Sequence, residues 1–140
     1  MINFEAEGVA LPVWDNVRMC RWLEAVALSH GYKIGSLNYL FCDDEYILDA
    51  NRKYINHDYY TDIITFDYTC HNRINGDILI SLDTVKSNAA DLGVEYSEEL
   101  RRVVAHGVLH LCGIDDKGPG EREIMEAAEN EALRLYAETH

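Results

Sequence analysis

The chain is short of basic residues, short of proline and without a long apolar run, and each shortage closes off a class of protein. Lysine and arginine number 12 against 25 aspartates and glutamates, a formal net charge of −13. A surface so acidic repels phosphate and anionic lipid, which excludes indiscriminate adsorption to nucleic acid or membrane. Any RNA-binding role therefore needs a local basic patch. Nothing approaches the ~18 consecutive apolar residues of a transmembrane helix. The opening MINFEAEGVALPVWD has neither a basic start nor an apolar stretch of leader length, so no export signal is expected. The four cysteines, Cys20, Cys42, Cys70 and Cys112, form no C-x-x-C pair. In an unexported chain they read as reduced thiols of a cytoplasmic protein, all four in the core. With two prolines, no repeat and no low-complexity stretch, no linker divides the 140 residues, and 48% hydrophobic content suffices for one core.

What is present is a series of short periodic segments. Residues 14–30 read as a helix, with Asp15 near its start, Gly31 as its stop and an apolar stripe of Val17, Cys20, Leu23, Val26 and Ala27. SLNYLFC at 36–42 alternates and reads as a strand. Residues 44–54 read as a helix capped by Asp43, with Ile47, Ala50 and Tyr54 on one side. DIITFDY at 62–68 and GDILISL from 76 are β-branched strands, and the loop between them is short enough for a hairpin. A helix over 83–92 ends at Gly93. Another runs from 98 to about 112, capped by Ser97 and ended by Gly113, with Glu98 and Glu99 set against its N-terminal dipole. The last helix presents Ile124, Ala128, Ala132, Leu135 and Tyr136 on one face. The order α-β-α-β-β-α-α-α predicts an α+β fold: one domain over 1–140, a small mixed sheet of about four strands, about five helices.

The helix at 98–112 carries the chemistry. Leu100, Val103, Val104, Gly107, Val108 and Leu111 form a core-facing stripe, and Ala105 and Leu109 make the second half apolar nearly all round. His106 and His110 interrupt it one turn apart on one face. Buried imidazoles need hydrogen-bond partners or a metal. Two satisfied core histidines are the plain alternative; the buried helix, the stop at Gly113 and the carboxylates just beyond favour a metal. Asp115 and Asp116 both offer a third ligand, and three protein ligands with one open position describe a catalytic zinc site. A structural zinc is usually closed by four Cys or His ligands, and Cys112 lies on a different helix face from His110. The peptidase signature H-E-x-x-H is broken because Gly107 stands where its glutamate would be. Two histidines and a carboxylate also match the non-haem iron triad, a minor reading.

HGVLHLCGIDD at 106–116 resembles the H-G-x-L-H-L-x-G-x-D-H motif of the YbeY family of bacterial endoribonucleases. TDIITFDY at 61–68 resembles that family's T-D-V-L-S-F-P segment, and Gly76, Asp77, Ile78 and Ser81 match the strand that follows it. The resemblance covers most of residues 40–135 and implies a zincin-like metal helix. It further implies a metal-dependent, single-strand-specific endoribonuclease acting in 16S rRNA 3′-end maturation and ribosome quality control. It places His106, His110 and Asp116 as ligands of one Zn²⁺, or another divalent metal, with Asp116 where the family has a third histidine. A carboxylate there adds negative charge beside the metal, which implies looser metal preference and a more alkaline optimum. The family also has a Tyr-Arg pair before its T-D block; here Tyr54 is followed by Ile55. Either Arg52 or Lys53 substitutes from the preceding turn, with Arg52 the catalytic candidate, or the cation is missing.

Other residues have two readings each. Arg101, Arg102, Lys86, Arg52 and Lys53 are a basic lining for phosphates or ordinary solvated charge. His57 and His71 are proton shuttles or loop residues. Asp62 and Asp77 orient a ligand histidine or cap strands. Tyr59 and Tyr60 stack on bases or border a strand. The leading expectation is an endoribonuclease whose partners are ribosomal RNA and small-subunit ribosomal proteins, with no membrane partner and no dinucleotide cofactor. The alternatives are a non-catalytic ribosome-assembly factor with a structural metal and a small-molecule metallohydrolase.

Overall fold

A computed structural model describes residues 1–55 and 61–140. His57, Tyr59 and Tyr60 lie outside the described residues. The elements are β1 (Ile2–Ala6), α1 (Asn16–Ser29), β2 (Lys33–Cys42), α2 (Asp44–Ala50), a π-helical turn (Asn51–Ile55), β3 (Ile63–Asp67), β4 (Arg73–Ser81), α3 (Leu82–Leu92), α4 (Tyr96–Leu111) and α5 (Glu121–Glu138). The sheet order is β1-β2-β4-β3; β1 and β4 both run parallel to β2, and β3 is antiparallel to β4. The expected α+β class, the mixed four-stranded sheet, the five helices and the β3–β4 hairpin are all present. Among the described residues no helix is long and apolar enough to cross a membrane.

One strand was not read from the sequence. Ile2, Phe4 and Ala6 alternate with exposed residues, and Phe4 stacks on Tyr39 at 5.5 Å and meets Trp14 edge-on at 5.2 Å. Five residues at a chain start give too short a pattern to separate from a loop; its partner β2 supplies the definition. The helix read over 44–54 stops at Ala50, where the π-helical turn widens the coil and shifts the faces. Asn51 is thereby buried, while Tyr54 is exposed and meets Phe66 edge-on at 5.8 Å.

The main core lies on the sheet face that carries Leu37, Tyr39, Phe41, Ile74, Ile78 and Ile80, under α1, α4 and α5. A smaller cluster of Cys42, Ile47, Ala50 and Ile64 joins α2 to the other side. Two buried rings keep their polar ends satisfied: Tyr39 donates to the Val104 carbonyl at 2.8 Å and Trp22 to that of Ala132 at 2.7 Å. Some helix faces sit one residue from where the periodicity put them. Val17 and Ile124 are exposed, and Met19, Trp22 and Met125 fill the core instead, because the larger chains reach further into it. The cysteines divide as well: Cys42 and Cys112 are buried with thiols pushed up to about 12, Cys20 is half-buried, and Cys70 is exposed in the β3–β4 turn.

The seat of α4 on the sheet decides where the histidines lie. A Cβ at Gly107 would stand 2.7 Å from Ile78 Cδ1 and 3.3 Å from Ile63 Cδ1. A Cβ at Gly76 would stand 3.0 Å from Leu111 Cδ1 and 2.7 Å from the Phe66 carbonyl. Helix and strand thus each omit a side chain where the other inserts one. Gly107→Ala is expected to lower stability by about 1–2 kcal/mol through overpacking, although alanine is the better helix former. Combining it with Ile78→Val, which removes the clashing methyl, recovers most of the loss in urea denaturation. Strictly additive losses in that double-mutant cycle count against this packing.

Candidate functional site

α4 begins two residues earlier than expected. Glu95 occupies the cap position without a side-chain bond, and Ser97 falls inside the first turn instead of capping it. Glu98 and Glu99 do occupy that turn. At the other end the Ile114 amide donates to the Leu109 carbonyl at 3.1 Å and the Gly113 amide to that of His110 at 3.0 Å. This pair of bonds, with Gly113 at φ 91°, is a Schellman motif. Ile114 packs back onto the core and the chain reverses, bringing the next turn alongside the histidines.

His106, His110 and Asp116 line one open cleft of about 920 Å³. Thr61–Thr65 forms one wall, and the end of α3 and the start of α5 form the others. Asp116 Oδ2 lies 3.5 Å from His106 Nε2. Of the two aspartates offered by the sequence, Asp116 lines the cleft; Asp115 is exposed and does not. The second ring nitrogen of His106, Nδ1, lies 2.7 Å from Glu129 Oε2 of α5. His110 Nδ1 is buried and has no hydrogen-bond partner among the described residues. Among those residues, no three His, Cys, Asp or Glu side chains are already gathered closely enough to hold a metal ion.

The other candidates separate. Asp62 lines the cleft. Asp77 sits within β4 and accepts from Asn38, which in turn accepts from Asn3, a polar ladder across the strands. His71 is exposed in the β3–β4 turn. Of the five basic residues considered as a lining, only Arg102 lines the cleft, and it donates to Glu129 and Asn130. Arg101 lies over the Tyr136 ring, and Lys53 pairs with Asp49 at 3.1 Å. Arg52 is exposed in the π-helical turn; its neighbour Asn51 is the one that lines the cleft. Lys117 and Arg122 also line the cleft and supply further cations.

Carboxylates outnumber these cations, and burial sets their chemistry. Burial raises the Asp62 carboxyl, with Glu129 and Asp116 adding to it and His106 opposing. Burial also raises Glu99, with Arg102 opposing and Asp62, Glu129 and Glu98 adding. For His106 burial acts downward, but the Glu129 hydrogen bond and charge, then Asp116 and Asp62, outweigh it and the imidazole is raised.

A family model described as "Endoribonuclease YbeY" matches residues 15–137. The chain belongs to the YbeY family. The Endoribonuclease YbeY of Phocaeicola vulgatus is 56% identical over 98% of this chain and 99% of its own. That of Bacteroides thetaiotaomicron is 54% identical over 96% and 98%. A solution structure of a Thermotoga maritima protein superposes with a TM-score of 0.67 at 23% identity, covering 97% of this chain and 89% of that one, and shares the fold. The resemblance carried by HGVLHLCGIDD thus extends over nearly the whole YbeY-family chain.

Two cleft residues went unread in the sequence. Glu129 stands between Met125 and Ala132, the buried positions of α5, so a carboxylate on the core face was the available signal. Glu99 was read only as a dipole partner, yet it is 6% exposed and, among the described residues, its side chain forms no hydrogen bond or ion pair. Because its folded-state pKa is raised, the folded chain holds that proton more tightly than the unfolded one. The resulting stability is full below the ordinary carboxylate range and is lost as pH rises through the folded value. Glu99→Gln removes the buried charge, so the metal-free variant is expected to melt roughly 3 °C above the parent at pH 8. The gap closes towards pH 4.5; calorimetry showing a variant less stable at both pH values contradicts this account.

Proposed function

We propose that this chain is a cytoplasmic, metal-dependent endoribonuclease that cleaves single-stranded ribosomal RNA in 16S rRNA 3′-end maturation and ribosome quality control. One Zn²⁺ per chain would be held by His106, His110 and Asp116. The observation that supports this reading is that His110, whose buried Nδ1 has no hydrogen-bond partner among the described residues, lines the same cleft as the His106–Asp116 pair. A buried ring nitrogen without a partner is costly, and a ligand that accepts its lone pair removes the cost. Two imidazoles and a carboxylate, with no thiolate in the set, suit zinc or a neighbouring divalent ion. A bound zinc supplies Lewis acidity toward a phosphoryl oxygen and lowers the pKa of coordinated water.

The chain's own residues do the rest. The open cleft admits an unpaired strand. Lys117 and Arg122 are the lining cations not held by Glu129, so phosphate contact is assigned to them in preference to Arg52, which is not among the cleft-lining residues. Acid-rich walls elsewhere repel the RNA backbone and confine it to that end. Asp62 lines the same cleft, and the role assigned to it is to take up a proton at its Oδ and return it to the leaving oxygen. Membership of the YbeY family supports the rRNA substrate, and the small-subunit partners are part of the same proposal.

Quantified metal, followed by incubation with single-stranded ribosomal RNA, tests the reading. His110→Ala is expected to lose bound metal and to cut cleavage by roughly a hundred-fold or more. If Lys117 and Arg122 each neutralise one phosphate, the salt slope of RNA binding is about −1.4, and Lys117→Ala reduces it by about 0.7. Full metal loading with no cleavage and with ribosome co-sedimentation points instead to a non-catalytic assembly factor. Activity on small esters without RNA cleavage points to a metallohydrolase.

A further inference from the structure

We infer that Glu129 is a positioning residue that holds His106 in one tautomer, with Nδ1 protonated toward α5 and the Nε2 lone pair presented to the cleft. The inference deepens the metal reading and rests on it for the ligand role of His106, but its geometry stands independently. Glu129 Oε2 lies 2.7 Å from His106 Nδ1. An ionised carboxylate only accepts hydrogen bonds, so at that distance the ring nitrogen carries the proton. The neutral ring then has its one acceptor at Nε2, the atom that faces Asp116. Asp116, 3.5 Å away, is too distant to compete for the proton by direct hydrogen bonding.

The carboxylate is itself held from behind. Arg102 Nη1 donates to Glu129 Oε1 at 3.1 Å, and Arg102 Nη2 donates to Asn130 Oδ1 at 2.9 Å. The Glu129 side chain is 13% exposed and that of Arg102 27%. Partners of this kind offset the cost of holding a carboxylate so far out of water. Each of its oxygens has one: Oε1 takes the guanidinium and Oε2 the imidazole. Arg102 and His106 are one turn apart on α4, so a single Glu129 spans both from α5. Among the described residues His110 has no such counterpart at its Nδ1. Among those residues the two histidines therefore differ: His106 is held by a carboxylate at Nδ1 and His110 is not.

An ion pair that merely clips α5 to α4 would give the same contacts and a different experiment. Full-length protein carrying ¹⁵N-labelled histidine is studied metal-free at alkaline pH by long-range ¹H–¹⁵N correlation, which reads the charge state and the tautomer of the ring together. Zinc affinity is measured separately by chelator competition. The parent is expected to show His106 as the Nδ1–H tautomer. Glu129→Gln, whose amide can donate as well as accept, is expected to give a mixture of tautomers and a loss of zinc affinity of about 10–100-fold. Arg102→Met, which leaves Glu129 in place but frees it, is expected to give a smaller loss and serves if Glu129→Gln does not fold. Unchanged tautomer and unchanged affinity in the foldable variants overturn the proposal, even if melting temperature falls. A parent that takes up no zinc sinks the metal reading, while the ring spectrum still decides the role of Glu129.

Discussion

The reciprocal seating of α4 on β4 is the constraint from which the site follows. Gly107 leaves room for Ile78 and Gly76 for Leu111, so helix and strand come together where two ordinary side chains would hold them apart. The histidines flank this contact in sequence: His106 is adjacent to Gly107, and His110 to Leu111. Their distance from the Thr61–Thr65 wall is therefore governed by core packing. This also explains why a glycine, and not the glutamate of a metallopeptidase, stands between the imidazoles. A residue with any Cβ meets β4, and the position has no room for a general base.

The legible part of the molecule was the part with period and punctuation. α4 could be read because an apolar stripe, two histidines four residues apart and a closing glycine all fall in one run, and a family motif covers the same residues. The hairpin of β3 and β4 was legible from β-branched runs either side of a turn. β1 was not, because five residues alternating about Phe4 acquire meaning only beside β2. Val17 and Ile124 were placed a residue off because periodicity fixes a face to within one position, and side-chain reach settles the rest. Glu129 was invisible for a different reason: its partners, His106 and Arg102, are more than twenty residues away in sequence, and no local pattern announces a contact between two helices.

The acidity of the chain, awkward for a protein that meets RNA, looks different once residues are placed. Glu129 is committed to an arginine and an imidazole, and burial raises the carboxyls of Asp62 and Glu99. Formal charge counted from composition leaves out such pairings. The cations that line the cleft are few: Arg102, Lys117 and Arg122.

The turn after α4 divides the three proposed donors into two structural kinds. His106 and His110 stand on a helix seated against the sheet, so their spacing is set by the helix. Asp116 follows Gly113 in the reversal after α4, outside any regular element. The proposed site would thus join two helix-borne donors to one loop-borne donor, and a change of ion radius would be taken up by the loop without disturbing the core. Discrimination among ions would then rest on a few loop residues more than on the helix that carries the motif.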